Sequence, residues 1–229
     1  MSNREEYKKL QESRANLYDL ISGFYRKEAD AAFLEKLAAL RFPKAEQQNE
    51  LLEGYGLLED FLQNHEDAEE LLAVDYARIF LAAGIAYGEA AFPYESVYTS
   101  KKRIAMQEAW EDMRRICRGK GVAPESSDDF DHIGCELGYM AYLCREEAET
   151  EDARQARKEQ RSFLQEHLLN WVPEFTADVE RYAQTDFYRA AARITRGFVQ
   201  MDYERLAGAD IPKIPFASFA DVGYHVVIN

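Results

Sequence analysis

The scarcity of β-branched residues is the feature that most limits how this chain can fold. Only 24 of its 229 residues are Val, Ile or Thr, the β-branched types that strands favour. Leu, Ala, Glu, Lys and Arg dominate instead, and these residues have high helix propensity. The six prolines fall at the joints between apolar-periodic segments or after the last of them, where they do not interrupt a helix. The sequence therefore predicts an all-α fold.

Apolar residues at helical spacing define about nine helices. The first is predicted from about Arg4 to Lys27 and the last from about Asp186 to Leu206. Between residues 83 and 100 the periodic pattern is lost, and glycines, a proline and several aromatic residues take its place. This segment is predicted to be a structured loop that leads into a helix beginning at Thr99 or Ser100.

Residues 120–129 are predicted to be a hinge, because they lack an apolar stripe and contain glycine, proline and a run of acids. The hinge would join an N-terminal helical lobe at 1–119, with a groove loop at 83–100, to a C-terminal helical lobe at 130–208. Residues 209–229 form a tail of different composition. The tail is expected either to pack on the body or to pair in an extended form with another chain.

The charge of the chain excludes several classes of partner. Its 42 acidic and 28 basic residues give a formal net charge of −14, which would repel a nucleic-acid backbone or an anionic membrane surface.

The first residues are charged, no apolar signal region follows them, and no apolar stretch is long enough to span a bilayer. Three cysteines without a CxxC pair argue against a disulfide framework or a zinc site. We therefore expect a soluble protein of a reducing compartment.

The densest polar cluster covers residues 128–136, where a helix is expected to begin. Its acids can cap that helix and complement its dipole, and His132 and Glu136 lie one turn apart on one face. Three interpretations stay open for this pair: a cap with an intrahelical contact, two ligands of a metal ion, or a polar recognition site beside the hinge. The common catalytic and phosphate-binding motifs GxGxxG, GxxxxGK[ST], HExxH and GxSxG are absent from the sequence.

Two further segments have an unusual mixture of side chains. In Phe92–Tyr98, Glu95 and Ser96 stand among aromatic residues beside a proline. This segment is either a loop that caps the next helix or the wall of a groove with apolar positions and an acid for a cationic ligand. The third segment is His167–Phe175. In it, His167 and Trp171 lie one turn apart, which is more typical of a helix–helix corner than of a binding site.

In this order, these segments resemble the TorD/DmsD/NarJ family, cytoplasmic chaperones for the maturation of redox enzymes. The resemblance covers about residues 10–206, and the family often has Trp where this chain has Tyr94. The matching motifs are Tyr76-Ala-Arg-Ile-Phe80, Phe92-Pro-Tyr-Glu-Ser-Val-Tyr98, Asp131-His-Ile-Gly-Cys-Glu136 with Leu137 and Met140, His167-Leu-Leu-Asn-Trp-Val-Pro173, and Asp186-Phe-Tyr188.

The resemblance implies two helical lobes joined by a hinge and a protein that is not an enzyme. It implies binding of the leader and body of a molybdenum-cofactor enzyme, whose leader carries two arginines and an apolar stretch, and a delay of export until the cofactor is inserted. No cofactor or metal is expected, and the chain is expected to be a monomer with a possible dimer formed by lobe exchange. The implied peptide-binding residues are Phe80, Pro93, Tyr94, Glu95, Ser96, Tyr98, Asp131, His132 and Glu136.

An alternative function belongs to a different class. The chain would then be a helical enzyme, or a nucleotide- or metal-binding protein, that uses the cluster around His132 and Glu136. The absence of a phosphate-binding loop from the sequence favours the chaperone.

Overall fold

The computed structural model of the protein describes residues 3–43, 49–65, 68–83, 89–124 and 130–208. These ranges contain ten α-helices, one π-helical turn and no strand, which confirms the all-α prediction. None of the helices in these ranges is both long and apolar enough to cross a membrane. The helices are α1 (Asn3–Arg26), α2 (Ala31–Ala39), α3 (Glu50–Asn64), α4 (Glu69–Leu81), α5 (Glu95–Thr99), α6 (Glu108–Lys120), α7 (Ile133–Glu149), α8 (Ala153–Phe163), α9 (Val172–Tyr182) and α10 (Asp186–Leu206), and the π-helical turn is Leu164–Leu168.

Several helix ends follow from local side-chain chemistry. Asp30 and Asn49 precede α2 and α3, and each side chain accepts a hydrogen bond from the backbone N–H three residues further on, at 2.9 and 3.0 Å. Such caps satisfy donors that the first helical turn leaves unpaired. Gly121 ends α6 in a left-handed conformation, with φ +70°, which glycine adopts without steric cost.

The segment between α4 and α6 differs from its prediction. Residues 83–100 include the short helix α5, and the helix expected to begin at the end of this segment does not start before α6. In between, Arg103 and Met106 have φ of +51° and +59°, which no right-handed helix accommodates. The Ser96 hydroxyl also accepts a hydrogen bond from the backbone N–H immediately before α6, at 3.0 Å. This tertiary contact directs the chain where the sequence pattern predicts continuous helix.

Helices from both halves of the chain share one core. α1 packs along α7, and α10 packs along α3 and α9. A continuous cluster of buried apolar residues extends from Ala15 in α1 to Val199 in α10. Residues 125–129 of the predicted hinge and the tail at 209–229 lie outside the described residues. The hinge, the lobes and their exchange between copies stay predictions, and an exchange would have to reproduce the α1–α7 contact between two chains.

Candidate functional site

Backbone hydrogen bonds join two segments that are distant in the sequence. The N–H of Glu95 donates to the carbonyl oxygen of Asp131, and the N–H of Ile133 donates to the carbonyl oxygen of Pro93, both at 2.9 Å. Tyr94 lies between these two hydrogen bonds and pairs with His132 in an isolated antiparallel β-bridge. The start of α5 and the start of α7 therefore form one junction, and it brings together two of the three polar segments noted in the sequence.

Asp131 holds this junction together with its side chain as well as its backbone. Its carboxylate Oδ2 accepts a hydrogen bond from the Ser96 N–H in the first turn of α5, at 3.0 Å. Burial raises the pKa of Asp131 above its usual value, although the hydrogen bonds with Ser96 oppose this shift. The acids before α7 were expected to cap that helix, whereas Asp131 caps α5 instead. Asp128 and Asp129 lie outside the described residues.

His132 provides the cap of α7. Its Nδ1 accepts a hydrogen bond from the Gly134 N–H at 3.0 Å, and an accepting nitrogen must be unprotonated. Burial, with a contribution from the charge of Arg26, lowers the pKa of His132 to about 3. The Tyr94 ring meets the imidazole edge to face, with 5.2 Å between ring centroids. Of the three interpretations of this cluster, the cap is therefore observed for His132.

Glu136 lies in a buried group with Glu95 and His167. Donor atoms of these three side chains lie within 4.8 Å of one another. His167 Nδ1 and Glu95 Oε2 are 3.0 Å apart, and Asn170 Nδ2 donates to Glu95 Oε1 at 2.6 Å. The Trp171 indole N–H donates to Glu136 Oε2 at 3.0 Å. The third sequence segment thus supplies the partners of both buried carboxyl groups.

The two carboxyl groups of this cluster lie close together and are buried. Burial raises the pKa of Glu136 well above its usual value, and the charge of Glu95 and a hydrogen bond with it add to the shift. A protonated Glu136 avoids placing two negative carboxylates side by side. Within the described ranges, Glu95, Glu136 and His167 are also the group that could hold a metal ion; His132 is not part of it, and its Nδ1 is used by the cap.

Two kinds of comparison relate this geometry to known proteins. A family model described as nitrate reductase delta subunit matches residues 44–177, more than half of the chain. A relative named chaperone protein TorD, from Vibrio cholerae serotype O1 (strain ATCC 39315 / El Tor Inaba N16961), is 31% identical over 210 residues, which are 86% of this chain and 94% of the relative. The chain belongs to the TorD/NarJ family of chaperones. Proteins of the same name from Vibrio vulnificus (strain YJ016), 27% identical over 89% of this chain and 99% of the relative, and from Photobacterium profundum, 29% identical over 65% and 70%, agree with this assignment.

Family membership makes this chain a redox-enzyme maturation chaperone rather than an enzyme. Of its nine predicted peptide-binding residues, only Tyr94 and Tyr98 are partly exposed. Phe92, which begins the same segment but is not among the predicted binding residues, is 38% exposed beside them. The other seven predicted residues are buried, so a ligand on the surface would not reach them directly: Phe80, Pro93, Glu95, Ser96, Asp131, His132 and Glu136.

Tyr98 combines a partly exposed aromatic ring with nearby carboxylates of α9. The inner side of the ring packs against Trp171 and Phe175, with centroid distances of 5.5 and 5.9 Å. Its hydroxyl donates to Asp178 Oδ2 at 3.3 Å. Asp178 was missed by the sequence analysis, although it follows the third segment closely and stands one turn after Glu174 in α9.

The cap of α7 leads to a prediction about the pH dependence of folding. The pKa of His132 falls from 6.5 to about 3 on folding, so below about pH 6.5 the unfolded chain takes up a proton that the folded chain does not. The free energy of unfolding should therefore decrease as the pH falls, by at most about 1.4 kcal/mol per pH unit from this group. In His132→Asn the amide oxygen can still accept from the Gly134 N–H but does not titrate, so the decrease should be less steep.

The measurement is urea unfolding of both proteins at several values between about pH 7 and about pH 5. A slope in the variant that equals or exceeds the wild-type slope would contradict the pKa assigned to His132.

Proposed function

We propose that this chaperone acts in the cytoplasm and binds the twin-arginine leader peptide of a molybdenum-cofactor enzyme. By holding the leader, and the body of the catalytic subunit that follows it, the chaperone delays export until the cofactor is in place. The observation that carries the proposal is the junction of the segments 93–98 and 131–136, with a surface of exposed aromatic rings beside it.

The chemistry of this surface suits the chemistry of a leader. A twin-arginine leader has two guanidinium groups followed by an apolar stretch. Phe92, Tyr94 and Tyr98 offer accessible aromatic area, which can take either an apolar side chain or a guanidinium group. Glu174 and Asp178 stand at the Tyr98 side of this surface and supply carboxylates. The net charge of −14 attracts a basic peptide to the chain as a whole.

The buried residues of the predicted site have a positioning role in this proposal. The Asp131 carboxylate holds the first turn of α5, and Glu95 anchors the same turn to His167 and Asn170. These bonds fix the backbone on which Tyr94 and Tyr98 stand. A rigid support keeps the aromatic side chains in place before the peptide binds, which reduces the entropic cost of binding.

Calorimetric titration with a leader peptide tests the proposed surface. The peptide is synthesised from the twin-arginine leader of a molybdenum enzyme encoded in the same genome. Tyr94→Ala and Tyr98→Ala should each weaken its binding about tenfold or more, because truncating a central aromatic contact typically removes a large share of the binding free energy. Tyr203→Ala is the matched control, since Tyr203 in α10 is also a partly exposed tyrosine.

Normal affinity in both Tyr94→Ala and Tyr98→Ala, with both variants folded, would remove this surface from the proposal. Equal losses in the two variants and in Tyr203→Ala would show that the titration reports a nonspecific effect.

A further inference from the structure

The exposed side of Tyr98 carries a guanidinium group that belongs to the chain itself. The guanidinium carbon of Arg103 lies 5.4 Å from the centroid of the Tyr98 ring. Its Nη1 donates to Glu174 Oε1 at 3.0 Å, and the Tyr98 hydroxyl bonds to Asp178. An aromatic face with carboxylates at its edge combines two interactions that favour arginine, cation–π contact and charge-assisted hydrogen bonding. The structure therefore shows this position occupied by the side chain that suits it.

The segment that carries Arg103 has the same order of chemistry as a twin-arginine leader. Basic residues come first and apolar residues follow, in the run Lys101, Lys102, Arg103, Ile104, Ala105, Met106. Ile104 and Met106 are 49% and 48% exposed, so they do not anchor this run in the core. The positive φ angles at Arg103 and Met106 are unfavourable for side chains with a Cβ. Contacts with other parts of the chain, rather than the local backbone preferences of these residues, fix the conformation of the segment.

The contacts of Arg103 are of the kind that another arginine can replace. The side chains of Arg103 and Glu174 are 55% and 56% exposed, and ion pairs between exposed groups contribute little to stability. Cation–π contacts at exposed positions are also weak. An arginine of a bound peptide, supported by further contacts along the peptide, would gain the same two interactions while Arg103 moves into solvent. The exchange costs little because the number of charge contacts is unchanged.

We propose that the Tyr98 ring, Glu174 and Asp178 form the site for one arginine side chain of the leader peptide. Arg103 occupies this arginine site in the unbound chaperone and leaves it when the leader binds. The inference rests on the proposed function and adds to it the position of a leader arginine and an internal competitor for that position. The competitor lowers the affinity for every ligand of the site, and peptides without arginine cannot displace it by the same contacts.

Removing the competitor is the test. Arg103→Gln should bind the twin-arginine leader peptide roughly three- to tenfold more tightly than the wild type, the size expected for one exposed ion pair and one cation–π contact. A second peptide, with both arginines replaced by glutamine, should gain nothing from the same substitution. In the Arg103→Gln background, Glu174→Gln and Asp178→Asn should each weaken binding of the twin-arginine peptide.

Arg114→Gln is the matched control. The Arg114 guanidinium carbon lies 4.9 Å from the Trp110 ring, and its Nη2 donates to Glu111 at 2.7 Å, so the same two interactions are lost at another position. We expect this variant to bind the leader peptide with wild-type affinity.

The outcomes separate the arginine site from the proposed function. If the wild type binds the leader but Arg103→Gln binds it no more tightly, the arginine site is wrong and the proposed function stands. An equal gain for the peptide without arginines also overturns the arginine site, because Arg103 would then block the surface without marking an arginine position. If the wild type and all variants bind neither peptide, the proposed function fails, and the arginine site fails with it.

Discussion

Asp202→Asn is expected to lower the free energy of unfolding by about 3–5 kcal/mol, because it breaks a buried ion pair and removes the shorter of the two acidic contacts of Arg14. Asp202 in α10 accepts two hydrogen bonds from the Arg14 guanidinium of α1, at 2.8 and 2.6 Å. Neither side chain has exposed surface. After the substitution, Glu147 at 3.3 Å is the acid that still pairs with Arg14. α1 and α10 are joined by this pair, so the loss affects the packing of these two helices.

The same ion pair makes the stability of the fold depend on pH. Burial by itself would raise the pKa of Asp202, but the charge and hydrogen bonds of Arg14, with Arg205 and the Tyr18 hydroxyl, bring it below its usual value. The contribution of Asp202 to stability is therefore present above its ordinary pKa of 3.8 and is lost as the pH falls below that value.

Urea unfolding at about pH 7 measures the effect of Asp202→Asn. Glu204→Gln makes the same change of carboxylate to amide on the same helix, at an exposed position, and should change the free energy of unfolding by less than about 0.5 kcal/mol. Equal effects of the two substitutions would show that the buried pair does not stabilise the fold.

Gly54→Ala and Gly56→Ala, two residues apart in α3, are expected to have opposite effects on stability. A Cβ atom at Gly54 would lie 2.8 Å from Ile194 Cγ1 and 2.9 Å from the Ile194 backbone nitrogen in α10. Some of these neighbours are backbone atoms of α10, which cannot move aside without distorting that helix. Gly54→Ala should therefore destabilise the protein by about 1–3 kcal/mol. At Gly56 no atom lies within 4 Å of the added Cβ, so the higher helix propensity of alanine should stabilise by up to about 1 kcal/mol.

Thermal and urea unfolding of the two variants distinguish these signs directly. If Gly54→Ala were as stable as Gly56→Ala, the close approach of α3 to α10 would be wrong. Gly197 offers an independent check from the other helix, since its Cβ would lie 2.6 Å from the Leu51 backbone nitrogen.

Elements with strong local signals could be predicted from the sequence. α10 has the predicted bounds, and α1 begins and ends one residue before its predicted bounds, because a long amphipathic pattern and clear stop signals define both. The start of α6 could not be predicted. Ile104 and Met106 fit a helical period but are exposed, and the contacts that decide the path of this segment come from residues outside it.

The sequence predicts which segments form the candidate site, but not which of their residues are buried or what those residues contact. Sequence reasoning selected 92–98 and 131–136, but nothing local shows that Glu95 and Glu136 are buried, since acids among aromatic residues are equally typical of an open groove. Their partners His167 and Trp171 were assigned to a helix–helix corner, because spacing alone cannot show that a helix end faces a distant carboxyl group. Glu174 and Asp178 have no signal of their own beyond their spacing of one helical turn.

The central claim is that a twin-arginine leader binds at the junction of α5 and α7. Hydrogen exchange followed by mass spectrometry measures this directly, on the full chain with and without saturating leader peptide. We expect slower exchange in 92–106 and at the start of α9, and no change in α2 and α3, which border a separate groove of about 410 Å³. The peptide with glutamine in place of both arginines should give little protection at the same concentration. Protection confined to the groove between α2 and α3, or equal protection by both peptides, would contradict the claim.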